Sequence, residues 1–279
     1  MKIGFDKNSY ALTSDELQKR SWNYVEKFFK KAIAFSPLDV ELYFYTAQNC
    51  YKRRSKGTFL RPIYSEEHKN RVTIHIYKEF LKEISLPVLQ GWIDQELALC
   101  LLRRQPELKQ FNFSKQILRE FPISGAGVNF IRHMVERLKI GLELYLATNI
   151  LIELGHGIPQ VYFYFYKINP QPEEEDNYRR IILHGWTRAS FLCRKLKKIM
   201  PITLLAKEKI GFSKDIESSW WQYHQYLVKE DRRILQEVAD LPEQFMEASY
   251  SLKLIKMLQK LYKYLIPTRD ERTNSKLLH

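Results

Sequence analysis

Residues 91–100 read Gly91-Trp92-Ile93-Asp94-Gln95-Glu96-Leu97-Ala98-Leu99-Cys100, GWIDQELALC. Three consecutive polar residues interrupt a run that is otherwise apolar. Pro87 fits the first turn of a helix, and the pattern continues to about Arg104, so one helix is expected over 87–104. What that helix packs against is set by the segments around it.

Upstream, Thr13-Ser14-Asp15-Glu16 forms a capping box that opens a helix to about Phe35. Trp22, Val25, Phe29, Ala32 and Ile33 would line its apolar face, and Ser36-Pro37 would end it. Val40–Thr46 is β-branched and aromatic, and Thr58–Tyr64 suggests a second strand, with Pro62 at an edge or an end. Arg71–Tyr77 alternates cleanly. Val72, Ile74 and Ile76 point one way; Arg71, Thr73, His75 and Tyr77 point the other.

Downstream the period is helical. A helix over 128–154 follows the loop Ser124-Gly125-Ala126-Gly127 and stops at Gly155 and Gly157. Residues 161–166 are aromatic on all sides, so periodicity does not separate helix from strand there, and Pro159 just before them favours helix; further helices are expected over 173–199, 214–239 and 242–265. The expected fold class is α+β and predominantly helical. A small sheet packs on helices over 1–157, a helical part packs against it over 158–268, and 269–279 is a loose tail. A competing reading makes 38–53 helical. Ala32–Asp39 with Leu42, Tyr43 and Ala47 looks like one tetratricopeptide junction, although no second unit recurs ~34 residues later.

Composition narrows the functional classes. The chain has 279 residues, 45% hydrophobic and 28% charged, as in ordinary globular domains. The formal charge of +13 admits nucleic acid or an acidic protein surface as partner, or simply a Lys-rich surface. Cys50, Cys100 and Cys193 are too scattered for a zinc ribbon or a disulfide framework, which suits a reducing cytoplasm. The start, MKIGFDKNSY, has no apolar core of a signal peptide, and no run reaches the ~18 apolar residues of a membrane span. No phosphate-loop or dinucleotide glycine pattern is present. Ser124–Gly127 could cradle a phosphate but suits a helix-entry loop.

The order helix, strands, then a helix with Gln95-Glu96-Leu97-Ala98-Leu99 resembles the zincin-like metallopeptidases, specifically the small gluzincin core. The resemblance covers roughly residues 14–154. In that family an edge strand beside the cleft aligns the substrate. The following helix carries His-Glu-x-x-His, whose two imidazoles share a face at i and i+4 and bind zinc, while the Glu polarises zinc-bound water. A glutamate on a later helix is the third ligand. On this pattern Gln95 and Leu99 stand where the histidines belong, and Glu96 stands at the general-base position. Leucine has no lone pair and an amide is a poor zinc ligand, so no metal and no other cofactor is expected. The resemblance implies a catalytically inactive relative in which Glu96 is the relic of a general base. Gln95, Leu99, His75, Tyr77, His133 and Glu136 would line the remaining cleft, and Glu136 or Glu143 would be the relic of the third ligand. Deprived of a metal, Glu96 is expected to be paired with Arg or Lys, or hydrogen-bonded, beside strand 71–77.

The pairs His133/Glu136 and Glu153/His156 have the spacing of di-iron helices. On one helix, residues 133 and 156 would lie ~34 Å apart, so they cannot share a metal. The expected role is binding or structural, through an unknown protein partner. The alternative is a basic helical module for nucleic acid or an acidic protein.

Overall fold

The computed structural model describes residues 2–5, 15–31, 39–45, 63–68, 71–77, 84–109, 121, 126–168, 173–245 and 247–265. The protein is predominantly helical, with one small sheet. It divides into two compact units. The first holds Met1–Arg104 and Ala147–Tyr166; the second holds Gln105–Leu146 and Lys167–His279. This corrects the expected boundary at 157/158. Helix α4, Ala126–Glu153, begins in the second unit and ends in the first. The first unit therefore takes back a return segment that a linear division of the sequence assigns elsewhere.

The first unit is built on strands β1 (Lys2–Phe5), β2 (Asp39–Tyr45), β3 (Ile63–His68) and β4 (Arg71–Tyr77), in the order β1-β2-β4-β3. β1, β2 and β4 run parallel, and β3 pairs antiparallel with β4 at one edge. Parallel neighbours need a crossover, and helix α1, Asp15–Lys31, lies between β1 and β2 in the chain. Strand β2 overturns the reading of 38–53 as helix. Its β-branched and aromatic residues pair along their whole length with β4. Of the strand expected over 58–64, residues 58–62 lie outside the described residues, and β3 starts at Ile63 and continues to His68.

Register sorts the side chains of the sheet. Val40, Leu42 and Phe44 stand beside Val72, Ile74 and Ile76, and Ser65 and Ile63 stand opposite Ile74 and Ile76. All of these apolar side chains are buried. Helix α2, Leu86–Arg103, packs on β3, β4 and α1. Its apolar residues surround the axis, as expected of a helix inside a core. In α1 the buried positions are Ser21, Val25 and Phe28, while Trp22 and Phe29 are only half-buried. The apolar face is thus turned from the expected one; Ala32 and Ile33 lie outside the described residues.

Helix α5, Gly157–Lys167, meets α2 at Gly91. A Cβ on Gly91 would lie 2.2 Å from the Pro159 carbonyl oxygen. Gln160 Nε2 donates to the Gly91 carbonyl at 2.8 Å, and Trp92 meets Phe163 edge-on at 5.5 Å.

The second unit contains α3 (Pro106–Lys109), the first part of α4, and α6 (Glu174–Ile181), α7 (Gly185–Lys207), α8 (Ser213–Tyr223), α9 (Lys229–Gln244) and α10 (Tyr250–Leu265). α7 is its centre and packs on α6, α8, α9 and α10. The single helices expected over 173–199 and 214–239 are each two. The first breaks at 182–184; the second breaks at 224–228, where Tyr178 Oη accepts from the Val228 N–H. Asp231, fully buried, takes a two-pronged bond from Arg188 and one from Tyr178 Oη at 2.6 Å, which ties α6, α7 and α9 together. The tail 269–279 lies outside the described residues.

Candidate functional site

Asp94, Gln95 and Glu96 follow one another on α2, each turned ~100° from the last by the helix. They therefore reach three different neighbours, although all three lie in the same unit.

Glu96 is half-buried and faces β3. Its Oε2 accepts from the Ser65 backbone N–H at 3.0 Å and from Ser65 Oγ at 2.7 Å. The hydrogen bonds come from a serine on the edge strand rather than from Arg or Lys. Bonds to a charged acceptor each contribute about 1.5–3 kcal/mol. One turn on, the Cys100 thiol lies 3.4 Å from the same Ser65 Oγ. Burial pushes that thiol up to about 12, its hydrogen bond with Ser65 opposing the shift and Glu67 and Glu96 adding to it.

Gln95 is buried. Its Oε1 accepts from Thr148 Oγ1 and Tyr164 Oη, each at 3.4 Å. Burial raises the Tyr164 phenol. Leu99 is buried in the same helix. The residues at the two histidine positions are thus an amide whose oxygen already accepts two bonds and an apolar side chain. They do not fit zinc. Among the described residues no group of three or more His, Cys, Asp or Glu side chains could hold a metal ion.

Asp94 faces His156. Its Oδ2 lies 2.8 Å from Nδ1, and neither side chain is more than 3% exposed. A carboxylate only accepts here, so Nδ1 carries the proton and donates. The local backbone places the ring. Gly155, at φ 71°, ends α4 in the left-handed region; its N–H reaches the Ile152 carbonyl and that of His156 reaches the Leu151 carbonyl. That turn carries His156 between α4 and α5.

The remaining expected cleft residues are placed elsewhere. His75 and Tyr77 lie on the sheet face opposite Glu96, because alternation along β4 puts Ile74 and Ile76, with Ser65, on the α2 face. His75 is stacked on Tyr64 at 4.5 Å and on Tyr43 at 6.0 Å, with Nε2 3.2 Å from Glu66. Tyr77 lies 6.2 Å from Tyr64. His133 and Glu136 belong to the second unit and are exposed on α4. Glu143 is also in the second unit, buried, 3.9 Å from Lys139. For His75 and Tyr77 this placement corrects the expectation that they line a cleft with Glu96.

Sequence reasoning missed Ser65, Thr148, Tyr164 and His156 as partners of the polar triplet. The available signal was Asp94 itself, since a carboxylate inside an apolar helix needs a partner.

Among the described residues no helix is long and apolar enough to cross a membrane. Comparison with protein-family models, curated proteins and solved structures finds no match to this chain.

Proposed function

We propose that this chain is a gluzincin-like protein without metal chemistry, acting by binding through its first unit. The observation that carries the reading is the bond between Glu96 and Ser65 on edge strand β3. In the zincin-like family the glutamate of the metal helix stands beside the strand that aligns substrate. Here the element order α1, β2, β3, β4, α2 supports the same arrangement, with Gln95 and Leu99 at the ligand positions. Among the described strands β3 pairs only with β4, so an extended peptide of a protein partner could add along its outer edge. Metal analysis of protein purified without chelator tests the reading. Zinc well below one equivalent is expected. Stoichiometric zinc that survives dialysis, and is lost on Glu96→Ala or His133→Ala, would overturn it.

A second reading rests on the second unit. Trp221, Lys229, Arg232 and Gln236 line a surface depression of about 400 Å³. An indole beside two cations suits a stacked base and its phosphate, and the net charge of +13 favours polyanions. Binding to RNA or DNA that weakens steeply with salt and is lost on Trp221→Ala would establish this reading in place of the first.

A further inference from the structure

The first unit contains a cavity of about 410 Å³ lined by Lys27, Lys30, Gln90, Gly155, His156 and Pro159. Its volume is on the scale of small-ligand pockets. We propose that this cavity is a binding site for the phosphate group of a small molecule, held by Lys27 and Lys30 with His156 as a hydrogen-bonding wall. The inference does not depend on the metallopeptidase-like reading.

The floor of the cavity is an oriented imidazole. Asp94 accepts from Nδ1 and so fixes which nitrogen is left over. Nε2 has no hydrogen-bond partner among the described residues, although His156 is 97% buried. A ring nitrogen with no protein partner at a cavity wall is placed to meet a ligand or solvent. With Nδ1 donating to Asp94, Nε2 turns a lone pair towards the cavity, where it can accept from the hydroxyl of a hydrogen phosphate group.

The rim is cationic. Lys27 and Lys30 are exposed and three residues apart, so they rise from one face of α1. Gly155 and Pro159 flank the start of α5, whose first-turn N–H groups carry the positive end of the helix. Gln90 adds a neutral amide from α2. The lining contains no carboxylate, and Asp94, behind the ring, is engaged with His156. Two ammonium groups and a helix start suit a phosphate group better than a single carboxylate. The cavity has room for a phosphate and a small organic group attached to it.

Calorimetric titration of the full chain at low salt tests this, with inorganic phosphate, glycerol 3-phosphate and glycerol as probes. Both phosphates are expected to bind with a Kd of about 1 mM or tighter, and glycerol not at all. Tighter binding of glycerol 3-phosphate identifies a phosphate monoester as the ligand class; equal binding identifies free phosphate. Lys27→Glu and Lys30→Glu change exposed side chains, so the fold is retained, and each is expected to weaken binding at least about tenfold. His156→Gln keeps a donor for Asp94 but removes the ring that walls the cavity, and should weaken it comparably. Absence of saturable phosphate binding, or binding that survives both lysine reversals, would overturn the proposal.

Discussion

The Asp94 carboxylate and the His156 imidazole meet at 2.8 Å across 62 residues of sequence, both closed off from solvent. The bond fastens the turn before α5 to the centre of α2. Removing the carboxylate leaves the buried ring N–H without its acceptor, at a cost of about 3 kcal/mol. Asp94→Ala should therefore lower the urea midpoint strongly. Asp94→Asn keeps an acceptor for the ring N–H and should cost about 1–2 kcal/mol. An Asp94→Ala protein as stable as the parent would show that the glycine turn alone holds His156.

Gly91 and Gly141 should respond oppositely to alanine. A methyl on Gly91 meets the Pro159 carbonyl at 2.2 Å and Phe163 Cβ at 2.8 Å, neither of which can yield without moving α5. The expected loss is about 3 kcal/mol, at the upper end of overpacking. A methyl on Gly141 meets the flexible Met200 Sδ at 3.3 Å. There the gain in helix propensity, about 1 kcal/mol, should offset the crowding. Thermal unfolding of the two variants side by side decides it; equal losses would mean that the crossing of α2 and α5 is looser than the structure has it.

These two sites also mark how far the sequence could be read. Strand β4 and helix α2 were legible because period and length are local properties. The alternation correctly grouped Val72, Ile74 and Ile76 on one face. Which face α2 covers was not legible, because it depends on packing, and so His75 and Tyr77 were assigned to the wrong side. The break at 182–184 was hidden because Ile181, Ile182 and Leu183 carry the apolar pattern across it; yet Leu183 is 90% exposed. The helix expected to end at 199 runs on through Pro201 to Lys207, in a stretch the surrounding helices bury. Of the candidate site, Glu96 could be named from its motif. Its partner Ser65, and the meeting of Asp94 with His156, are products of tertiary structure.

Cys100 and Cys193 should be inert in the folded protein. Both are buried, and burial pushes each thiol up to about 12. The thiolate is the reactive form, so almost none is present near pH 8. In a Cys50→Ser background, which removes the third thiol, a water-soluble thiol reagent should label neither cysteine in native buffer and both in urea. Rapid native labelling of Cys100 would mean that the contact of α2 with β3 opens readily.

The second unit should carry a pH signature of its own. His224 Nδ1 donates to the Trp220 carbonyl at 2.7 Å, so its Nε2 is an acceptor and takes a bond from Lys195 Nζ at 3.1 Å. Lys195 Nζ also lies 2.5 Å from Glu174 Oε2. Burial first, then Lys195, lowers His224 from 6.5 to about 4. Burial lowers Lys195 from 10.5 to about 8 despite Glu174. In both cases the unfolded chain binds the proton more tightly, so stability rises with pH wherever only the unfolded group is protonated. Stability should fall as pH drops from 6.5 towards 4, the window set by His224. It should rise between about 8 and 10.5, the window set by Lys195. A single group contributes at most ~1.4 kcal/mol per pH unit. Urea unfolding across both windows measures the slopes, and subtracting the variant from the parent isolates each group. His224→Gln should flatten the acid slope and Lys195→Met the alkaline one. If His224→Gln left the acid slope unchanged, the imidazole would be protonated in the folded state, and the bond from Lys195 could not exist as drawn.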